Sequence, residues 1–180
     1  MFRFVRDKAK YRQIELNWTP LEISEAAARG EVRLRNLIVG PLLESEPPRR
    51  FVRHVLSPTA ILYSGAPGDH GLLAIFTGKG GYPMVPISVI LQIVDERRFD
   101  VLLLSDPARF HFAYGAEPFG SDLASLAEGL RRFADERGYG RRVTYGESMG
   151  GLPALAVGGM MRADRAISVG GRFAWHIGRL

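Results

Sequence analysis

From residue 72 onwards, the sequence alternates strand-like segments with segments of helical periodicity. The strand-like segments are LLAIFTG (72–78), FDVLLLSDP (99–107), RRVTYGE (141–147) and RAISVGG (165–171). The first two of them contain short continuous apolar runs, which are typical of strands that are buried on both faces of a sheet. Strands that alternate with helices predict an α/β fold, in which a mostly parallel sheet carries helices on both faces.

Three segments between these strands place apolar residues at helical spacing, at residues 85–98, 121–138 and 149–161. For the second of them, Ser121 is the predicted N-terminal cap and Gly138 the predicted stop. Upstream, FVRHVL (51–56) and TAILYSG (59–65) predict two short antiparallel strands at one edge of the sheet.

Residues 1–30 are predicted to form an N-terminal helical appendage. Thr19 can cap a helix whose first residue is Pro20, and Gly30 is a natural stop. Residues 31–180 are then the α/β core, which we expect to be truncated after the strand at 165–171.

Composition limits the classes of function. The chain has 180 residues, is 46% hydrophobic and can bury a core of its own. It has no cysteine, which excludes disulfides, thiolate catalysis and zinc–thiolate sites. The net charge of +5 comes from scattered arginine pairs rather than a basic block, so we expect no nucleic-acid partner. No signal peptide, membrane-span pattern or metal-ligand spacing is visible, and we expect a cytoplasmic protein without a metal or cofactor.

The motif Gly146-Glu147-Ser148-Met149-Gly150 matches G-x-S-x-G. It falls where a predicted strand turns into a predicted helix, which is the context that a nucleophilic serine requires. A tight turn would lift the serine hydroxyl above the sheet, and side chains at 146 and 150 would collide there. The helix N-terminus favours a developing anion, with the backbone N–H of Met149 as one oxyanion donor. The alternative is a serine in an ordinary Gly-rich turn.

On this motif and its context, the sequence from about Val32 to Gly171 resembles the α/β-hydrolase family. The resemblance implies a serine nucleophile and a second oxyanion donor in the loop FTGKGGYP (76–83). Thr77 stands where that family often has His, Gly78 matches the following Gly, and the donor would be the amide of Lys79 or Gly80. A flexible Gly-rich connection remains the alternative for this loop. A phosphate-binding loop does not fit, because neither Ser nor Thr follows Lys79.

A nucleophilic serine needs a base, and the base needs an orienting acid. The resemblance implies the order serine, acid, histidine, but only residues 149–180 follow Ser148. Asp164 precedes a strand and therefore lies at the wrong edge of the sheet, where a turn residue is expected. His176 follows that strand and could act as a base only if the tail folds back.

The other candidate groups favour structural roles. Asp106 is expected to form a turn with Pro107, and His111 to pack in an aromatic loop or to form a pocket wall. His54 and His70 have no evident partner, and Glu147 is expected to have a structural or hydrogen-bonding role beside the nucleophile.

These observations favour a serine hydrolase that cleaves an ester, thioester or similar acyl bond of a small molecule through Ser148. We expect a fragment of a longer enzyme, inactive as 180 residues alone, because the base and acid are not visible. Two alternatives stay open: an acyltransferase, and a non-catalytic binding or assembly module. An unpaired apolar edge strand at 165–171 also predicts association between copies of the chain.

Overall fold

A computed structural model describes residues 51–171, except for residues 66, 69, 84 and 86 and the side chain of Ser88. The predicted appendage at 1–30, the boundary near residue 30 and His176 lie outside the described residues. By its contacts the chain divides into two compact units. The sheet belongs to the unit formed by Arg50–Met84 and Asp95–Leu180, whereas Val85–Val94 belongs to the other.

Six strands form one mixed sheet. In chain order they are β1 (Val52–Ser57), β2 (Ala60–Ser64), β3 (Gly71–Phe76), β4 (Phe99–Leu104), β5 (Arg141–Glu147) and β6 (Arg165–Val169). The spatial order is β1-β2-β4-β3-β5-β6. The pairs β1/β2 and β2/β4 are antiparallel, and β4, β3, β5 and β6 run parallel. The predicted fold class, a mostly parallel sheet with antiparallel strands towards the N-terminus, is confirmed.

Two helices cover one face of this sheet: α2 (Leu123–Glu136) and α3 (Gly151–Met160). Alternate residues of β2, β3 and β4 form a single cluster with them, because successive side chains of a strand point to opposite faces. The cluster includes Leu62, Leu72, Ala74, Phe76, Leu102, Leu104, Leu126, Leu130, Ala154 and Val157. The cluster includes Phe76 and Leu104, the last residues of β3 and β4, and it therefore holds in place the strand ends next to the candidate site.

The second face of the sheet is also apolar. Tyr63, Ile75 and Val101 belong to the alternate set of positions and are 8%, 1% and 0% exposed. Helix α1 (Ile87–Ile93) belongs to the other compact unit and is described by itself. The expectation of helices on both faces therefore stays a prediction.

The helix boundaries correct two sequence-based predictions. The cap of α2 is Asp122 rather than Ser121, because the Asp122 carboxylate accepts the Ser125 N–H at 2.7 Å while the Ser125 hydroxyl accepts the Asp122 N–H at 3.1 Å. Gly138 ends the helix as predicted, with φ +68°. Helix α1 ends before Asp95, whose carbonyl accepts the N–H groups of Arg98 and Phe99 as the chain turns into β4.

Of the helices in the described part of the chain, none combines the length and the apolarity that crossing a bilayer requires.

Candidate active site at the turn after strand β5

Ser148 lies at the junction of strand β5 and helix α3. The strand ends at Glu147, a 3₁₀ turn covers Ser148–Gly150, and α3 begins at Gly151. Ser148 is exposed and has φ +50°, a left-handed conformation that non-glycine residues seldom adopt. No described residue hydrogen-bonds to its hydroxyl. Such a conformation costs on the order of 1–3 kcal/mol and is concentrated at functional sites.

The two glycines of the motif make this turn sterically feasible. A Cβ on Gly146 would lie 2.0 Å from the carbonyl oxygen of Gly150 and 2.8 Å from the Cβ of Ala154. A Cβ on Gly150 would lie 2.2 Å from the carbonyl oxygen of Phe76, at the end of β3. Strand β5, strand β3 and helix α3 can approach each other this closely because neither position carries a side chain.

The loop after β3 lies against the same turn. A Cβ on Gly78 would be 3.3 Å from the Glu147 carbonyl oxygen and 3.7 Å from the Ser148 Cβ. Thr77 is fully buried, its N–H donates to the Leu104 carbonyl at 3.0 Å, and its hydroxyl has no hydrogen-bond partner among the described residues. The exposed residues Lys79 and Gly80 follow directly. The structure thus brings together the loop and the serine that the sequence predicts as partners.

His111 contacts the turn from the loop after β4. Its Nδ1 lies 3.0 Å from the carbonyl oxygen of Met149, the residue whose N–H is the predicted oxyanion donor. The Met149 side chain is buried, whereas His111 is exposed. An Nδ1–H that donates to this carbonyl leaves Nε2 as the basic nitrogen of a neutral ring.

Asp106 holds this loop in place. It is 3% exposed, and its carboxylate accepts the N–H groups of Arg109 at 3.1 Å, Phe110 at 2.8 Å and Phe112 at 2.9 Å. Arg109, His111 and Phe112 have φ between 54° and 57°. The predicted turn-forming role of Asp106 is confirmed, and its carboxylate satisfies N–H groups that a loop of this shape would otherwise leave unpaired.

Glu147 turns away from the serine, in line with the expected structural role. It is 3% exposed and accepts a hydrogen bond from the Tyr145 hydroxyl at 2.5 Å. Burial raises the pKa of Tyr145, and the hydrogen bond to Glu147 raises it further. Thr144, on the opposite face of β5, donates to the Ala154 carbonyl at 2.7 Å and anchors α3 to the strand.

The remaining candidates lie apart from the turn. Asp164 is exposed before β6 and accepts the Arg142 N–H at 2.7 Å, as expected of a turn residue. His54 is exposed on β1. For His70, which was expected to have no evident partner, the structure places the Asp100 carboxylate 3.6 Å from Nδ1, beyond hydrogen-bond distance. Within the described residues no group of three potential metal ligands occurs.

Sequence reasoning missed the contact between His111 and Met149. The two residues are 38 positions apart, so no local pattern could join them. The one available signal was Asp106-Pro107 directly after a buried strand, which places the start of this loop at the same sheet edge as Ser148.

A scan against family models and a search of curated proteins find no match. Among solved structures, the chain superposes on an α/β-hydrolase enzyme from the metagenome of lagoon sediments at Mar Chica, Morocco, with 19% identity and a TM-score of 0.42 over 71% of this chain and 55% of that one. It also superposes on brefeldin A esterase, a bacterial homologue of human hormone sensitive lipase, with 16% identity and a TM-score of 0.44 over 80% of this chain and 45% of that one.

A third superposition is with naproxen esterase from Bacillus subtilis, with 13% identity and a TM-score of 0.42 over 93% of this chain and 50% of that one. The chain thus spans about half the length of these structures. The sheet order and the Ser148 turn are properties of this chain's own structure. The chain is an α/β protein that is similar to α/β-hydrolases over part of their length.

Proposed function

We propose that this protein is a serine hydrolase that cleaves an ester, thioester or similar acyl bond of a small molecule through Ser148. The main support is the backbone at Ser148, held at φ +50° between two glycines at the C-terminal end of a parallel strand. That conformation carries a cost, and it presents an exposed hydroxyl at the sheet edge where open α/β sheets bind ligands.

In the proposed reaction, the Ser148 Oγ attacks the acyl carbonyl carbon and its proton passes to a base. The carbonyl oxygen becomes an oxyanion, which the N–H groups of Met149 and of Lys79 or Gly80 stabilise. The C–O or C–S bond to the leaving group then breaks, and the leaving group takes the proton from the base. Water attacks the acyl-enzyme in the same way and releases the acid and the free serine.

We place the base and its orienting acid outside the described residues, in His176 and its neighbours, in a longer polypeptide or in a second chain. The geometry supports this placement because no described histidine hydrogen-bonds to Ser148. His70 lies at the opposite end of the sheet. His111 contacts the turn through its Nδ1 and the Met149 carbonyl, and no hydrogen bond joins its Nε2 to Ser148 among the described residues.

The test is covalent labelling of the polypeptide encoded by the complete reading frame. A fluorophosphonate is expected to add once, at Ser148, and the adduct is read by intact-mass and peptide mass spectrometry. Ser148→Ala should abolish labelling, whereas Ser121→Ala, an exposed serine outside the site, should leave it unchanged. Equal labelling of wild type and Ser148→Ala would contradict the proposal.

A second candidate is a non-catalytic binding or assembly module with the same fold. It is favoured by the Ser148 hydroxyl, which has no hydrogen-bond partner among the described residues, since an activated serine is held by its base. Absence of labelling in the complete polypeptide, together with an unchanged fold in Ser148→Ala, would support this candidate. Acyl transfer to an alcohol or amine shares the acyl-enzyme with hydrolysis, and product analysis with added acceptors separates the two.

A further inference from the structure

A cavity of about 260 Å³ lies at the end of the sheet opposite to Ser148. Its lining consists of His70, Gly71, Arg98, Phe99, Gly140 and Arg141. These residues belong to, or directly precede, the first residues of three neighbouring parallel strands, in which Gly71 pairs with both Phe99 and Arg141. Strands of six residues span roughly 20 Å, so this cavity is separate from the candidate active site.

The walls of the cavity are fixed by backbone contacts. Gly71 N–H donates to the Arg98 carbonyl at 2.8 Å, and Gly140 N–H donates to the His70 carbonyl at 3.2 Å. A Cβ on Gly71 would lie 2.6 Å from the Phe99 ring, so glycine at this position lets the ring pack across the strand end. The residues that line the cavity are therefore held by the sheet rather than by a free loop.

The cavity is positively charged. Arg98 and Arg141 are exposed, and neither guanidinium group has a carboxylate partner among the described residues. Two other arginines of the same unit do have carboxylate partners: Arg131 contacts Glu128 and Asp135, and Arg142 contacts Asp135. Two unpaired guanidinium groups at one cavity favour a ligand of opposite charge.

His70 adds a buried polar group to the cavity. Its side chain is 9% exposed, and its Nε2 has no hydrogen-bond partner among the described residues. Its Nδ1 is 3.6 Å from Asp100, which is longer than a hydrogen bond. The Asp100 carboxylate is itself engaged by the Tyr139 hydroxyl at 2.7 Å and the Gly65 N–H at 2.8 Å. Buried polar groups almost always have a partner, and the described residues supply none for the His70 Nε2.

We propose that this cavity binds a phosphate group, either as free phosphate or as a small phosphomonoester. Two guanidinium groups match the charge of a dianion and can form paired hydrogen bonds with its oxygens. The volume accommodates a phosphate with a few further atoms, and it is below the usual range of larger ligand sites. The Phe99 ring offers an apolar contact for an ester group.

The test is a titration of the full chain with inorganic phosphate at constant ionic strength, followed by calorimetry and by NMR of the His70 ring. Saturable binding at one site is expected. Arg98→Gln and Arg141→Gln should each weaken binding by about tenfold, as expected for loss of one charge-assisted hydrogen bond. Arg97→Gln and Arg132→Gln make the same change of charge outside the cavity and should weaken binding by about twofold or less.

Binding measurements with acetate and with phenyl phosphate identify the ligand class. Acetate, a monoanion, should bind at least about tenfold more weakly than phosphate, since it meets the same two guanidinium groups with half the charge. Phenyl phosphate that binds more tightly than phosphate supports a phosphomonoester, and the reverse order supports free phosphate. Absence of saturable phosphate binding, equal binding of acetate, or an equal loss in all four arginine variants would overturn the proposal.

Discussion

Gly150 has no room for a side chain, although its backbone dihedrals are those that any residue adopts. Its φ is −75°, in the right-handed helical region. The constraint is instead steric, since the carbonyl oxygens of Phe76 and Thr77 occupy the space at 2.2 and 2.7 Å from the position of a Cβ. Backbone atoms of a central strand cannot move aside as a flexible side chain can. The glycine therefore sets how closely α3 approaches β3.

Gly150→Ala is expected to destabilise the protein by about 1–3 kcal/mol, since overpacking forces the backbone to shift. Gly159→Ala is the matched control, because that glycine lies in α3, the helix that Gly150 precedes, and a Cβ there meets nothing within 4 Å. The control should be neutral or stabilising by about 0.5–1 kcal/mol. Urea unfolding followed by circular dichroism measures both, and equal effects of the two substitutions would refute the steric explanation.

Residue-scale prediction from sequence succeeded where the information was local. The spacing of Gly146, Ser148 and Gly150 indicates a tight turn because all three act within five residues of chain. His70 and His111 could not be interpreted in this way. His70 lies near Asp100 of β4, and His111 contacts Met149 in the turn after β5. Only the folded sheet brings the members of each pair together.

At the level of elements, the positions of the strands followed from their periodicity, whereas two helix ends did not. At both helix ends, an oxygen of an aspartate accepts backbone N–H groups and so determines where the helix starts or stops. Asp122 is a better N-cap than Ser121 because the Ser125 hydroxyl can bond back to it. The carbonyl of Asp95 accepts two N–H groups of the following turn, so the apolar pattern of 85–94 stops being helical there.

The segment between α2 and β5 is tied to β4 through Tyr139, and this tie predicts a dependence of stability on pH. Burial raises the pKa of Tyr139 above its usual value of 10.0, and the hydrogen bond to Asp100 raises it further. A raised pKa means that the neutral hydroxyl stabilises the fold, fully below pH 10. That stabilisation declines as the pH rises above 10, at up to about 1.4 kcal/mol per pH unit.

Tyr139→Phe should therefore show a shallower loss of unfolding free energy than wild type between pH 10 and 11.5. The Tyr145 hydroxyl, whose pKa is also raised, titrates in both proteins, so the difference between the two curves isolates Tyr139. Urea unfolding at a series of pH values measures the two slopes. Parallel curves would show that the Tyr139 hydroxyl does not stabilise the folded state.

Across the whole molecule, the strand order is the feature that sequence periodicity left open. Strands β3 and β4 are both mostly buried, so nothing local determines that β3 lies between β4 and β5 rather than beside β2. The two edges were expected from the sequence, with the antiparallel strands at one and the strand at 165–171 at the other. Edge strand β6 pairs with β5 alone among the described residues, and its Ile167 and Val169 are 40% and 48% exposed.

An apolar edge strand pairs readily with another chain, and we expect association through β6. Ile167→Lys should shift the protein towards monomer in sedimentation equilibrium, since a charge on an edge strand opposes strand pairing. Val55→Lys is the matched control, because Val55 is 58% exposed on β1 at the other edge. Wild-type association that is unchanged in Ile167→Lys, or reduced equally by Val55→Lys, would exclude β6 as the interface.

The Asp106 carboxylate accepts hydrogen bonds from several N–H groups of one loop, so the loop depends on it for its conformation. Three N–H groups of the loop after β4 depend on this single side chain, and they belong to residues around the His111 contact with Met149. Proteins open locally in contiguous cooperative units. We therefore expect this loop to be ordered or lost as one unit, and its state to be coupled through His111 to the Met149 carbonyl beside Ser148.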